Sequence, residues 1–261
     1  MKFRQHHRRL VGVLLAILPL SLSIASPAAR ADTLSVAVAA NLQFVFSTLQ
    51  TTFEQKSGHR LQPSFNSSGR LATQIQLGAP FDVFLSADMG FPQQLYQAGF
   101  TTGAPVSYAR GVLVLWSLKP LDLRQWQTSL SAPTVKRIAI ANPTIAPYGR
   151  EALRTLDFYG LRTALEPKLV YAESISQANQ YIYSQAVDAG FTSKSVVLSA
   201  AMQGQGSWIE VPAAAYQPIA QGVVMTRYGE KTHPLAARQF HDFLLSPAAQ
   251  AILARDGYLS P

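Results

Sequence analysis

The sequence lacks the residues and motifs on which several large protein classes depend. It contains no cysteine, which excludes disulfide bonds, thiolate metal sites and a cysteine nucleophile. No GxGxxG motif follows the first predicted strand and no GxxxxGK[ST] motif occurs, so neither a dinucleotide site nor a P-loop is predicted. Charged residues make up only 14% of the 261 residues, whereas 48% are hydrophobic. This balance predicts a folded chain with a sizeable core and argues against disorder.

Catalytic motifs are equally scarce. The sequence has no HExxH zinc motif and no GxSxG nucleophile motif, and only His59, His233 and His241 follow the N-terminal segment. A serine nucleophile at Ser67 or Ser68 would need a histidine base, and none stands in a recognisable pattern. A secreted serine hydrolase is therefore kept only as a remote alternative. We predict that the protein is not an enzyme and has no catalytic residue.

The first 31 residues have the three parts of an export signal. A basic head, MKFRQHHRRL, precedes the apolar stretch VGVLLAILPLSLSIA, and the segment ends in the small residues PAARA. This order predicts a signal peptide that is cleaved after Ala31, and a mature protein in the periplasm. An uncleaved anchor is disfavoured because Pro19 interrupts the apolar stretch, and no later run is long and apolar enough to span a bilayer.

The basic character of the chain lies mostly in this signal. It holds five of the 22 basic residues and no acidic residue, which leaves 17 basic against 14 acidic residues, a net charge of +3. The remaining lysines and arginines are scattered along the chain. We therefore predict no nucleic-acid partner.

Strand-like and helix-like segments alternate along the mature chain. Apolar or β-branched runs predict strands at 34–40, 61–65, 81–88, 137–142, 168–172 and 186–191. The first helix is predicted to follow directly on Asn41 as its cap and to run to about Lys56, and the last, at 234–257, to break near Pro247. This alternation predicts parallel βαβ units and an α/β fold.

Two further apolar runs, at 111–118 and 215–226, are predicted to cross between two lobes. We expect residues 32–112 plus 222–261 to form one lobe, and residues 113–221 to form the other.

Small or polar residues stand where four of the predicted helices begin. They are Asn41, Ser68 within FNSSGRLA, Tyr148 within the APYG turn, and Ile175 directly after Ser174. In open parallel sheets, ligands bind beyond the carboxyl ends of the strands, where the following helices start. Each helix start presents unpaired N–H groups and about half a positive charge, so converging starts can hold an anion. Taken singly, however, such residues are more often plain helix caps.

The FNSSGRLA turn could by itself hold a phosphate, an acyl group attacked by serine, or a free oxyanion. The missing nucleotide motifs and the missing histidine base disfavour the first two. Arg70 and Arg150 stand early in two of the helices, where they could add positive charge to a site or simply lie on the surface.

Four stretches, VAVAANL, SFNSSGRLATQIQLGAPFDVFLSAD, ANPTIAPYGREAL and ESISQA, occur in the order and spacing of a known family. The chain resembles the exported molybdate-binding proteins of ABC importers (ModA type) over essentially its whole mature length. The resemblance implies a two-lobed, type II periplasmic-binding-protein fold that closes around one molybdate or tungstate dianion in the interlobe cleft. It also implies delivery of the anion to a membrane permease by a monomer that needs no cofactor.

The resemblance further implies which residues bind the anion. The family's ligands align with Asn41 and Ser68 from the first lobe, Tyr148 as a tyrosine ligand from the second, Ile175 through its backbone amide, and Ala40 as a further amide. Many members have serine in place of Asn41, and some use a tyrosine where this chain has Phe191, so Tyr148 is expected to substitute. The same architecture binding sulfate or another tetrahedral oxyanion remains the alternative, because donors at helix starts do not reveal the cavity radius.

Overall fold

The computed structural model describes Met1 and residues 31–261. The predicted export signal therefore lies outside the described residues, apart from Met1 and Ala31, and so does its cleavage. In the described part of the chain, no helix combines the length and the apolar character needed to cross a membrane.

The first of two five-stranded sheets combines the N-terminal strands with one strand from near the C-terminus. Its strands, in spatial order, are β2 (Arg60–Asn66), β1 (Thr33–Ala39), β3 (Val83–Ser86), β10 (Ile219–Met225) and β4 (Val106–Gly111). Strand β1 runs parallel to β2 and β3, whereas β10 is antiparallel to both of its neighbours. The first three strands thus end at the same edge of the sheet.

The second sheet repeats this plan with the middle of the chain. Its strands, in spatial order, are β7 (Leu169–Ala172), β6 (Ile138–Ala141), β8 (Ala189–Ser193), β5 (Leu113–Ser117) and β9 (Ser207–Glu210). Strand β6 is parallel to β7 and β8, and β5 is antiparallel to β8 and β9. Here too, the parallel strands bring the starts of their following helices to one edge.

Eleven α-helices are present in the described residues. They are α1 (Phe46–Ser57), α2 (Ser68–Gln76), α3 (Gly90–Gln97), α4 (Trp126–Ser131), α5 (Pro147–Phe158), α6 (Arg162–Leu165), α7 (Ile175–Tyr183), α8 (Lys194–Leu198), α9 (Arg227–Thr232), α10 (Pro234–Leu244) and α11 (Pro247–Arg255). The expected break near Pro247 is confirmed, because Ser246 caps α11 by accepting a hydrogen bond from the Ala249 N–H. We call each sheet, with the helices packed on it, the first and the second lobe.

Helices cover both faces of each sheet, which explains why the strands are apolar without alternation. In β1, Val36 and Val38 pack toward Phe46 of α1 and Phe240 of α10, whereas Ala37 between them packs toward α2. In the second lobe, neighbouring residues of β5 likewise belong to two separate apolar clusters, one of which includes residues of α5 and the other residues of α7. Because helices pack on both faces of each sheet, the edges of the sheets are held in fixed positions. The helices that begin at these edges are fixed with them.

The structure corrects one expectation about local elements and bears out another. Helix α1 begins at Phe46, not after Asn41, because a 3₁₀ turn at Ala40–Leu42 separates it from β1. The apolar run at 111–118 does pass between the sheets, as predicted, since β4 ends at Gly111 in the first sheet and β5 begins at Leu113 in the second. The sheets are therefore mixed, with antiparallel strands where the chain passes between lobes.

Candidate functional site

One small cavity lies where helix starts of the two lobes meet. Its volume, including the part that is open to solvent, is about 210 Å³. Its lining comprises Ala39, Ala40, Asn41, Ser67, Ser68, Ala87, Ala146, Pro147, Tyr148 and Ile175. All five residues that the sequence analysis names as anion ligands thus line a single cavity.

The lining contains no charged side chain, so its polarity comes from hydroxyl, amide and backbone groups. Helices α2, α5 and α7 begin at this cavity. The first N–H groups of a helix have no carbonyl partner within the helix, and the aligned peptide dipoles add partial positive charge there. Three helix starts from two lobes therefore make the cavity electropositive without a formal charge.

Ser68 is held in place by a hydrogen bond across the first lobe. Its hydroxyl oxygen accepts from the Ala87 backbone N–H at 2.9 Å, and the residue is 1% exposed. A hydroxyl that accepts one hydrogen bond still has its own hydrogen to donate. Ser68 can therefore donate to a ligand from a position that β3 fixes.

Asn41 belongs to a buried polar network behind the cavity. Its side-chain amide nitrogen donates to Gln221 Oε1 and to the Tyr258 hydroxyl, both at 2.9 Å. Its backbone oxygen accepts from the hydroxyls of Tyr258, at 3.0 Å, and Ser195, at 3.2 Å. These partners come from distant parts of the chain, which explains why Asn41 does not serve as a local helix cap.

The side-chain oxygen of Asn41 has no hydrogen-bond partner among residues 31–261, although it is buried. An anion would be repelled by this oxygen. Rotation of the amide by 180° places the NH₂ group at the free position instead, because Gln221 and Tyr258 can each donate as well as accept. In that orientation the Asn41 amide could donate into the cavity. Tyr258, which has one hydroxyl hydrogen, would then donate to the Asn41 side chain and leave the Asn41 backbone oxygen to Ser195.

Tyr148 points its hydroxyl toward the strands that join the lobes. A Cβ atom built on Gly111 of β4 would lie 2.0 Å from this hydroxyl oxygen and 2.8 Å from Gln221 Nε2 of β10. Burial raises the pKa of the Tyr148 phenol well above its ordinary value, so the hydroxyl stays protonated. The backbone N–H of Tyr148, at the second position of α5 after Pro147, lacks an intrahelical partner. This N–H is therefore the group of Tyr148 that a helix-start site would use.

Ile175 is the first residue of α7 and lies at the cavity. Ser174 caps α7 by accepting from the Gln177 N–H at 3.2 Å, which is the first bond of a capping box, whereas Gln177 Oε1 accepts from the N–H of Glu173, one residue before the cap, at 2.8 Å. These bonds fix the helix start and leave the Ile175 N–H without an intrahelical acceptor. Phe191, where some relatives of the expected family carry a tyrosine, is buried in the second lobe's core against Trp126.

The two arginines near the site are engaged in ion pairs between the lobes. Arg70 of α2 lies 2.9 Å from Glu173, and Arg150 of α5 lies 2.8 Å from Asp88, in each case across the cleft. Arg150 also lies 3.3 Å from Glu151, its neighbour in α5. None of these five residues lines the cavity. Their charges therefore link the lobes around the site and do not enter it.

The three histidines that a hydrolase could use as a base are paired with residues that do not line the cavity. His59 Nδ1 accepts from the Asp32 N–H at 3.1 Å, His233 lies 2.9 Å from Asp82, and His241 lies 2.9 Å from Asp242. The described residues also contain no group of three or more metal-ligating side chains. The arrangement suits reversible anion binding better than nucleophilic catalysis.

Known proteins resemble this chain in both sequence and structure. Residues 34–259 match the family described as bacterial extracellular solute-binding protein. The chain is 37% identical to the molybdate-binding protein ModA of Azotobacter vinelandii, over 93% of this chain and 96% of that protein. It is also 37% identical to ModA of Rhodobacter capsulatus, over 93% and 94% of the two chains. The solved structure of the A. vinelandii periplasmic molybdate-binding protein superposes with a TM-score of 0.82 at 36% identity, covering 87% of this chain and 99% of that one.

Proposed function

Because the chain belongs to the bacterial extracellular solute-binding proteins, and within them to the molybdate-binding ModA family, we propose that its interlobe cavity binds molybdate or tungstate. One observation carries this proposal. The cavity is enclosed by uncharged donors at three helix starts from both lobes, which is the chemistry that suits a small oxyanion.

The proposed ligands are side-chain and backbone donors. They are the hydroxyl of Ser68, the side-chain amide of Asn41, and the backbone N–H groups of Ala40, Tyr148 and Ile175. Together with the Ser68 N–H at the start of α2, they give about six charge-assisted hydrogen bonds of roughly 1.5–3 kcal/mol each, or on the order of 9–18 kcal/mol. Micromolar to nanomolar affinity requires about 8 to 12 kcal/mol, so neutral donors suffice after the costs of ordering and closure.

The absence of a carboxylate from the cavity lining also bears on the cargo. An oxyanion that keeps a proton at neutral pH needs an acceptor for that proton, whereas a fully deprotonated dianion needs only donors. Glu173, the acidic side chain near α7, is paired with Arg70. The lining therefore favours molybdate or tungstate over hydrogen phosphate. Sulfate needs the same kind of hydrogen-bond donors as molybdate and differs from it in size.

In the proposed role, the protein is a monomer in the periplasm that closes on the anion and delivers it to the permease of an ABC transporter. We infer that residues 32–112 plus 222–261 move against residues 113–221 by a hinge at the strands that connect the lobes. No catalytic step and no cofactor is part of this role.

A thermal-shift panel tests the proposal. A ligand that binds only the native state raises stability by RT ln(1 + [L]/Kd), so Tm should rise with molybdate and tungstate. Phosphate should have little effect. A rise with sulfate and none with molybdate or tungstate would reject molybdate as the cargo and support the sulfate alternative.

A further inference from the structure

Ser67 is a buried hydroxyl without a hydrogen-bond partner. It is 3% exposed, lines the cavity, and its Oγ has no partner in the part of the chain from residue 31 onward. Its backbone is satisfied, since its N–H donates to Asn66 Oδ1 at 2.9 Å and its carbonyl accepts from the Leu71 N–H at 3.1 Å. Only the side-chain group is left without a role in holding the fold.

The usual role of a serine at this position does not apply. Ser67 is the N-cap of α2, where a serine normally accepts from the N–H of the second or third helical residue, but it makes no capping bond. The cap residues Ser174, Thr226 and Ser246 do make such bonds to their helices. At α2, the N–H of the second residue, Gly69, instead donates to the Ile145 carbonyl of the other lobe at 2.9 Å.

A buried hydroxyl without a partner costs free energy, and this one lies at a cavity that we assign to an anion. We propose that Ser67 donates its hydroxyl hydrogen to the bound oxyanion, as a ligand additional to Ser68. This inference rests on the proposed function. The two adjacent serines then differ in their hydrogen bonds. The Ser68 hydroxyl accepts from the Ala87 N–H and also faces the cavity, whereas the Ser67 hydroxyl bonds only the anion.

The difference between the two serines supplies the test. In Ser67→Ala, no protein hydrogen bond is lost, so the Tm without anion should equal or exceed that of the wild type. Its Kd for molybdate, measured by titration calorimetry on the mature chain, should rise about 10- to 100-fold, the range for one hydrogen bond to a charged group. Ser68→Ala should instead lower the Tm without anion, because the Ala87 N–H loses its acceptor.

Ser199→Ala provides a matched control. Ser199 is a buried serine whose hydroxyl donates to the Val196 carbonyl and which does not line the cavity. This variant should lose Tm and keep the wild-type affinity for molybdate, which separates a general effect of removing a buried hydroxyl from a loss of an anion ligand.

Three outcomes decide the matter. A wild-type protein that binds molybdate and a Ser67→Ala variant that binds it equally well would overturn the role of Ser67 and leave the proposed function standing. A Tm of Ser67→Ala that falls as far as that of Ser68→Ala would also overturn it, by showing a structural role. A wild-type protein that binds no tetrahedral oxyanion would remove the proposed function, and this inference with it.

Discussion

Arg70 and Glu173 form an ion pair at 2.9 Å that joins α2 of the first lobe to the residue before the α7 cap of the second. The pair between Asp88 and Arg150, at 2.8 Å, joins the same two lobes at another point of the cleft. The backbone bond from Gly69 to Ile145 lies between the helix starts themselves. The closed conformation is therefore held by contacts within the protein as well as by any anion that it encloses.

Glu173→Gln should weaken this closure by a small amount. The side chains of Arg70 and Glu173 are 46% and 65% exposed, and ion pairs of this kind contribute up to about 1 kcal/mol. We expect molybdate to dissociate up to about fivefold faster, as measured by stopped-flow tryptophan fluorescence. High salt should reduce the difference between the variant and the wild type, because salt screens exposed pairs.

Glu166→Gln is the matched control for this prediction. Glu166 pairs with Arg162 within the second lobe, so its loss removes an exposed ion pair without affecting contacts between lobes. Its dissociation rate should equal that of the wild type. If the two variants behave alike, the Arg70 pair does not contribute to closure.

Ser68→Ala should have two effects at once. The anion loses a hydroxyl donor, which should weaken molybdate binding by roughly 1–3 kcal/mol in titration calorimetry. The Ala87 N–H loses its acceptor inside the protein, which should lower the Tm measured without anion. An unchanged affinity would remove Ser68 from the proposed ligands, whatever the Tm does.

Asn41→Asp should abolish binding more completely than Asn41→Ala. The two substitutions both remove the amide donor, but aspartate also places a negative charge in a buried cavity meant for an anion. We expect Asn41→Ala to cost roughly 1–3 kcal/mol of binding free energy and Asn41→Asp to cost more. Equal affinities for the two variants would show that Asn41 does not face the anion.

The sequence predicted the helix starts well because their signals are local. Ser174 and Gln177 stand three residues apart, and the capping bond that this spacing predicts, from the Gln177 N–H to the Ser174 hydroxyl, is present. The expectation that Asn41 caps the first helix is wrong, because its side chain bonds instead to Gln221 and Tyr258, which lie 180 and 217 positions away. No local pattern indicates such partners.

The antiparallel direction of the strands between the lobes escaped prediction for a related reason. The run at 111–118 is uniformly apolar because it is buried, and nothing in its periodicity shows that its strands pair antiparallel with their neighbours. Whether a buried strand is parallel or antiparallel depends on where the chain returns, which is a property of the whole fold. The fold class was therefore predictable, and the antiparallel strands were not.

The affinity for molybdate should be nearly constant between about pH 7 and 9, where no side chain lining the cavity changes charge. Tyr148 is the one titratable residue in the lining, and burial raises its pKa above the ordinary value of about 10. Because the pKa of Tyr148 is higher in the folded state than in the unfolded state, the folded protein favours the protonated phenol. Its contribution to stability is therefore complete below about pH 10 and declines as the pH rises further. A titration series in which Kd changes tenfold between pH 7 and 9 would contradict the assignment of neutral donors.

Substitutions at Tyr148 and Gly111 give the most direct test of which group of the tyrosine binds the anion. The hydroxyl lies against Gly111 and has no hydrogen-bond partner among residues 31–261, and the ligand that we propose from this residue is its backbone N–H at the start of α5. Tyr148→Phe should then change the binding free energy by less than about 1 kcal/mol, which is roughly a fivefold change in Kd. Gly111→Ala should lower stability by about 1–3 kcal/mol, because the new methyl group overlaps the hydroxyl oxygen.

The double variant connects these two effects. If the hydroxyl is the group that collides with the new methyl, Tyr148→Phe should restore part of the stability that Gly111→Ala removes, and the two changes should be non-additive in urea unfolding. Additive losses would mean that the tyrosine side chain does not occupy the space beside Gly111. A large loss of affinity in Tyr148→Phe alone would instead return the phenol to the ligand set, as the family resemblance implies.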